Sequence, residues 1–231
     1  MEALQAFVLG GAAQSSLILA GVIAYVVKVP SKVVGGLAGF GAGALVSAVA
    51  FDLIPESEVI AHWETALWLL VGAGVFIVAD HIVEAKFGGD GESGPLGIVV
   101  GSVVDGVPES IIFGIQIASG QVLSAAFLGA VWVSNIPQAL APSAELAESG
   151  WKSAKTAMMW TMVVVACAVT ALMGYLVGTA LGADGGRAAA LAAGGLLAML
   201  TDSLMPYAFK KGGSMAGLWT VVGFALALGS T

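Results

Sequence analysis

A chain of 231 residues that is 58% hydrophobic and only 10% charged is not a soluble globular domain, in which charged residues make up about 25%. The net charge of −7 and the lack of any basic run argue against nucleic acid as a partner, and a single cysteine, Cys167, excludes an intrachain disulfide. A mean hydropathy of +0.98 marks a polytopic membrane protein, read as one transmembrane domain over residues 1–231 with the lipid bilayer as its solvent.

Apolar runs of the length that crosses hydrocarbon recur along the whole chain. They lie at Ala3 to Val27, Val33 to Ile54, Thr65 to Ile82, Leu96 to Ala118, Val122 to Leu140, Ala157 to Leu181, Ala188 to Ala208 and Met215 to Leu228. The expectation is an all-α bundle of eight transmembrane helices. The first run follows Met1-Glu2 with no basic region and is too long for the core of a signal peptide, so it reads as a retained span.

Basic residues orient the bundle. Lys28, Lys32, Lys86, Lys152, Lys155, Lys210 and Lys211 fall in alternate connections, and only Arg187 falls on the other side. The positive-inside rule makes the lysine side cytoplasmic and both termini extracytoplasmic. Localisation in the cell membrane follows as the expectation.

Glycines at four-residue spacing, Gly35, Gly39 and Gly43, Gly97 and Gly101, and Gly174, Gly178 and Gly182, predict close helix packing. The six tryptophans, among them Trp132 and Trp160, read as anchors near span ends.

The chemistry concentrates in the fourth run. Asp105 and Glu109 stand in mid-span with no base beside them, one helical turn apart on one face. Each ionised carboxylate there costs roughly 2.5 to 3.5 kcal/mol, so a proton or an imported cation must offset the charge. Pro108 lies between them, removing a backbone donor and bending the helix.

The motif recurs. Asp52-Leu53-Ile54-Pro55-Glu56-Ser57 and Asp105-Gly106-Val107-Pro108-Glu109-Ser110 both read Asp-x-x-Pro-Glu-Ser. The fifth run carries Ser134-Asn135-Ile136-Pro137-Gln138, with neutral oxygens in place of carboxylates, and the seventh carries Asp202-Ser203-Leu204-Met205-Pro206. Four proline-interrupted helices with polar groups at matching places predict a transporter built from pseudo-symmetric inverted repeats around a mid-membrane site. The expected metal-binding set is Asp105, Glu109, Ser134, Asn135 and Gln138. Asp52 and Glu56 would form an outer mouth, and Asp80, His81, Glu84 and Asp202 an inner exit. No nucleophile is paired with a base, so enzymatic activity and an organic cofactor are not expected.

This pattern resembles the ZIP (Zrt/Irt-like) family of divalent metal transporters, with eight spans, outer termini and Pro-Glu-Gly motifs in the fourth and fifth spans. In the fourth-span motif Asp105 stands where the family has histidine and Gly106 where it has asparagine; in the fifth, Gln138 replaces glutamate. The sixth run, Ala157 to Leu181, holds no acid. The resemblance implies a divalent metal such as zinc, iron or manganese as transported substrate, and a homodimer. The replaced ligands imply one metal rather than two. An oxygen-only shell suits Mn²⁺, Mg²⁺ or Fe²⁺ better than Zn²⁺. The other reading of the residues is a proton or other cation transporter.

Overall fold

A computed structural model describes residues 1–87, 95–120, 125–181 and 185–229. Among these residues the chain is all helix, arranged as eight rods: α1 (Glu2–Ile23), α2 (Ser31–Val59), α3 (His62–Phe87), α4 (Pro95–Ala118), α5 (Ala125–Glu148), α6 (Ser153–Leu181), α7 (Gly185–Gly212) and α8 (Met215–Leu228). In hydrocarbon a helix satisfies its own backbone, which is why apolar runs of this length take no other form. Five rods, α1, α2, α3, α6 and α7, are long and apolar enough to cross a membrane, and α8 is a shorter apolar helix.

Several helices end some residues from the limits of their apolar runs, and one run is divided. α5 continues beyond Leu140 to Glu148 through Pro142, because its last two turns are amphipathic rather than apolar. α1 is divided at Ser15, whose hydroxyl turns back to donate to the Ala12 carbonyl at 2.7 Å, separating Glu2–Gln14 from Ser16–Ile23.

The prolines act in two ways. In α2 and α7 a π-helical turn, Val49–Leu53 and Leu200–Leu204, ends two residues before Pro55 and Pro206. Widening the helix there relieves the clash between the proline ring and the carbonyl four residues back. In α4 and α5 the helix runs unbroken through Pro108 and Pro137. The expectation of four interrupted helices therefore holds for two.

Packing has an internal order. α2 lies on α8 as α7 lies on α3, α4 on α6 as α5 on α1, and α2 on α5 as α7 on α4. Exchanging the first three rods with the last three, and α4 with α5, maps the contacts onto themselves, with the two π turns in equivalent rods. Small residues make this possible. A Cβ on Gly39 of α2 would lie 2.6 Å from the Ala216 carbonyl oxygen at the start of α8, and one on Gly174 of α6 would lie 2.6 Å from the Ile111 carbonyl oxygen of α4. Gly97 and Gly182 lie outside the described residues and side chains.

Two apolar cores result. One gathers Leu45, Phe76, Phe113, Phe127, Leu196 and Met199; the other gathers Leu17, Leu140, Trp160, Val163 and Cys167. Trp160 is fully buried, with its indole N–H donating to Ser143 at 2.8 Å, so it is a core residue rather than an interfacial anchor. Its two-residue offset from Met158, which is exposed, puts it on the inner face of α6.

Candidate functional site

Polar residues of α4 recur at Asp105, Glu109 and Gln116, spacings of four and seven that keep all three on one face. The rise per residue separates Glu109 from Gln116 by about 10 Å along the axis and from Asp105 by about 6 Å. Each of the three meets a different set of partners.

Glu109 is the deepest, 1% exposed. Its Oε2 accepts a hydrogen bond from Gln14 Nε2 of α1 at 2.9 Å, and Gln14 Oε1 accepts one from Asn135 Nδ2 of α5 at 2.7 Å. Gln14 and Asn135 are equally buried, so the three form a sealed amide-to-carboxylate chain across α5, α1 and α4. Glu109 Oε1 is buried with no hydrogen-bond partner. An orphaned buried oxygen costs roughly 1–3 kcal/mol, which marks a place where a ligand can be accepted.

Cys167 of α6 lies beside Ser110 and Glu109. A Cβ on Gly106 would come within 2.6 Å of the Cys167 sulfur and 3.6 Å of both Gln14 amide atoms. Glycine at 106 is thus the residue that lets α6 close on α4 beside Glu109.

Asp105, half-buried, turns toward α3 and α7 instead. Ser203 lies beside its carboxylate, and Asp80 and Asp202 are near enough for their charges to act on it. Two residues expected at an exit therefore belong to the surroundings of Asp105. His81 is exposed on α3, and the side chain of Glu84 lies outside the described residues.

At the far end of the row, Gln116 Nε2 donates to both oxygens of Glu56, at 2.9 and 3.0 Å, and Asp52 is a charged neighbour of Glu56. Gln116 Oε1 is buried without a partner. Between this pair and Glu109 the intervening turn of α4 carries Ile112 and Phe113, both buried, with Phe113 packed on Phe127 at a ring separation of 5.0 Å. An apolar layer separates the two polar stations. His62 near this end is exposed, and Glu64 pairs with Arg187 at 3.4 Å.

The expected set of five site residues is thus assembled in part. Asn135 joins Glu109 through Gln14. Ser134 spends its hydroxyl on the Val131 carbonyl at 2.9 Å and packs under Gly41 of α2. Gln138 is half-buried and outside the Gln14 chain. Among the described residues no three His, Cys, Asp or Glu side chains already form a cage for an ion. Gln14 and Cys167 are the residues that sequence reasoning missed. An isolated glutamine in an apolar run belongs to no motif; its only signal is that a polar side chain buried in lipid must have a partner.

At the opposite end of α5 a cavity of about 550 Å³ opens between α1 and α5, lined by Tyr25, Lys28, Glu145, Glu148 and Lys211 among apolar residues. It brings together the ends of α1, α5 and α7, so lysines from separate connections meet on one side.

The chain matches no family model and no curated protein.

Proposed function

We propose that this protein carries a divalent cation toward the cytoplasm along the polar face of α4, as a divergent relative of the ZIP transporters in the cell membrane. The supporting observation is the buried Glu109, one oxygen held by Gln14 and the other unpartnered, in line with Asp105 on one side and the Gln116–Glu56 pair on the other. In this reading all eight rods span the bilayer, the two three-helix units are inverted repeats, and both termini face outward. The shared cavity of Lys28 and Lys211 agrees with a cytoplasmic lysine side.

Asp52 and Glu56 gather cations at the outer mouth. Glu109 then takes the ion in the middle, its charge matched by Asp105 one turn away, and Asp80, Asp202 and Ser203 receive it on the inner side. The apolar layer of Ile112, Phe113 and Phe127 must part for an ion to pass, so the structure is closed between mouth and centre. Motion of α4 and α5 against the outer rods supplies that opening. Oxygen donors dominate, which favours Mn²⁺, Fe²⁺ or Mg²⁺, while the nearby Cys167 thiol adds a soft donor that Zn²⁺ would accept. A second protomer is expected by resemblance to the family.

A proton relay is the second reading. It is favoured by the hydrogen-bonded chain of Asn135, Gln14 and Glu109 and by the absence of a ready-formed three-ligand cage among the described residues. Uptake into proteoliposomes from a panel of Zn²⁺, Fe²⁺, Mn²⁺, Mg²⁺ and Cd²⁺, with internal pH recorded in parallel, separates the two. Metal uptake supports the first. Proton flux that needs no metal, with metals excluded, replaces it with the second.

A further inference from the structure

The Asn135–Gln14–Glu109 chain has a directionality that a purely structural polar cluster does not need. A carboxamide has a donor end and an acceptor end. Here the donor end of Gln14 faces the carboxylate of Glu109, and its acceptor end faces the Asn135 amide. A carboxylate oxygen that accepts from an N–H is satisfied without a cation, so in this arrangement Gln14 serves Glu109 as a donor. The other Glu109 oxygen, buried and unpartnered, is where an ion would arrive.

A cation that arrives at Oε1 and is held by both Glu109 oxygens would have the Gln14 N–H on Oε2 pointing at positive charge. Half a turn of the Gln14 terminal torsion replaces that N–H with Gln14 Oε1. The same half turn at Asn135 lets Asn135 Oδ1 accept from Gln14 Nε2, so the bond between the two amides survives in both arrangements. Such terminal torsions are soft and nearly two-fold. Space is also provided. Gly106 places no side chain against the Gln14 amide, and Gln14 is the last residue of the Glu2–Gln14 segment, next to the break at Ser15.

Building on the proposed function, we infer that Gln14 is a ligand of the transported cation, presented by a paired rotation of the Gln14 and Asn135 amides that exchanges a donor for an acceptor. Asn135 is then a positioning residue acting through Gln14. The arrangement described above holds Glu109 by donation, and the rotated one would hold the ion by acceptance. Cations compete with the Gln14 N–H for Glu109, which sets a threshold against weakly binding ions.

The test uses the full-length protein in detergent, with Mn²⁺ as probe. Binding is followed by the loss of the free-ion paramagnetic resonance signal. The amide is followed by infrared difference spectra, with and without Mn²⁺, on protein carrying ¹³C-labelled glutamine side-chain carbonyls. The expected result is bound Mn²⁺ together with a shifted labelled carbonyl band that is missing from the near-isosteric Gln14→Glu protein. Gln14→Leu should weaken Mn²⁺ binding by about 10- to 100-fold, the range for groups that support a metal site. Mn²⁺ binding to wild type with no shift of a labelled band assigned to Gln14, or undiminished binding in Gln14→Leu, overturns the ligand role and leaves the proposed function standing. No Mn²⁺ binding by folded wild type overturns both.

Discussion

The same six-residue pattern, Asp-x-x-Pro-Glu-Ser, stands in α2 and in α4, and the two copies do different things. In α2 the glutamate, Glu56, is half-buried and has both oxygens held by one amide, Gln116. Its serine, Ser57, returns its hydroxyl to the Ile54 carbonyl at 2.6 Å, and a π turn opens the helix ahead of the proline. In α4 the glutamate, Glu109, is 1% exposed with only one oxygen held, the serine hydroxyl of Ser110 is buried beside Cys167 rather than returned to a backbone carbonyl, and the helix is unbroken. Local sequence is nearly constant; what differs is the rods that surround it. α4 is enclosed by α1, α3, α6 and α7, so its carboxylate is cut off from water, while the α2 copy lies toward a rod end. Burial is what separates the central acid from its partly exposed counterpart.

Substitutions in the two copies should therefore differ in size. Glu109→Gln keeps the shape and the possibility of a hydrogen bond to Gln14 but removes the charge that would hold the ion under the proposed function, and is expected to lower divalent uptake by at least about 100-fold, beyond the usual loss for a supporting residue. Asp105→Asn removes charge from a half-buried position with other acids close by, so a loss of about 10- to 50-fold is expected in the same assay. Equal defects in the two variants would mean that both carboxylates grip the ion together.

Glu56→Gln is the matched substitution in the α2 copy. Water and Asp52 remain near, so the expected change is a rise of about 3- to 10-fold in the half-saturating cation concentration with maximal rate retained, and it should shrink at high ionic strength. A collapse of the maximal rate instead would make the outer copy as central as the inner one.

Smaller effects test the assignment of neutral groups. Ser134→Ala removes a hydroxyl that bonds its own helix, so uptake should stay within about two-fold and thermal stability should fall by no more than about 1 kcal/mol. Asn135→Ala, one residue along, should cost at least about tenfold in uptake because it strands Gln14. The smallest effect is expected for Arg187→Ala. Its ion pair with Glu64 is exposed, with the arginine side chain 52% accessible, so melting should shift by an amount equivalent to less than about 1 kcal/mol.

The helices were legible because apolar runs in a membrane admit one backbone solution, and Glu109 was legible because an acid in such a run has a cost that needs a reason. Asn135 was found through its place beside Pro137. Ser134 stands apart from the Gln14 chain for a local reason, since a serine in a helix can satisfy its hydroxyl on the carbonyl three or four residues back. Trp160 looked like an anchor until its partner Ser143, seventeen residues away, was in view. Gln14 lies 95 residues from Glu109 and 121 from Asn135, and only the crossing of α1 between α4 and α5 brings the three together. Motifs report what a segment holds, while a site made from single residues of separate rods appears only when the rods are packed.

The central claim is that the buried carboxylate of Glu109 carries a divalent cation. Initial rates of Mn²⁺ uptake should be measured in proteoliposomes holding equal amounts of folded wild-type and Glu109→Gln protein, under one imposed gradient. Saturable uptake by wild type that falls to the protein-free leak in Glu109→Gln is the predicted result. Equal uptake by the two proteins would contradict the account and move the path away from α4.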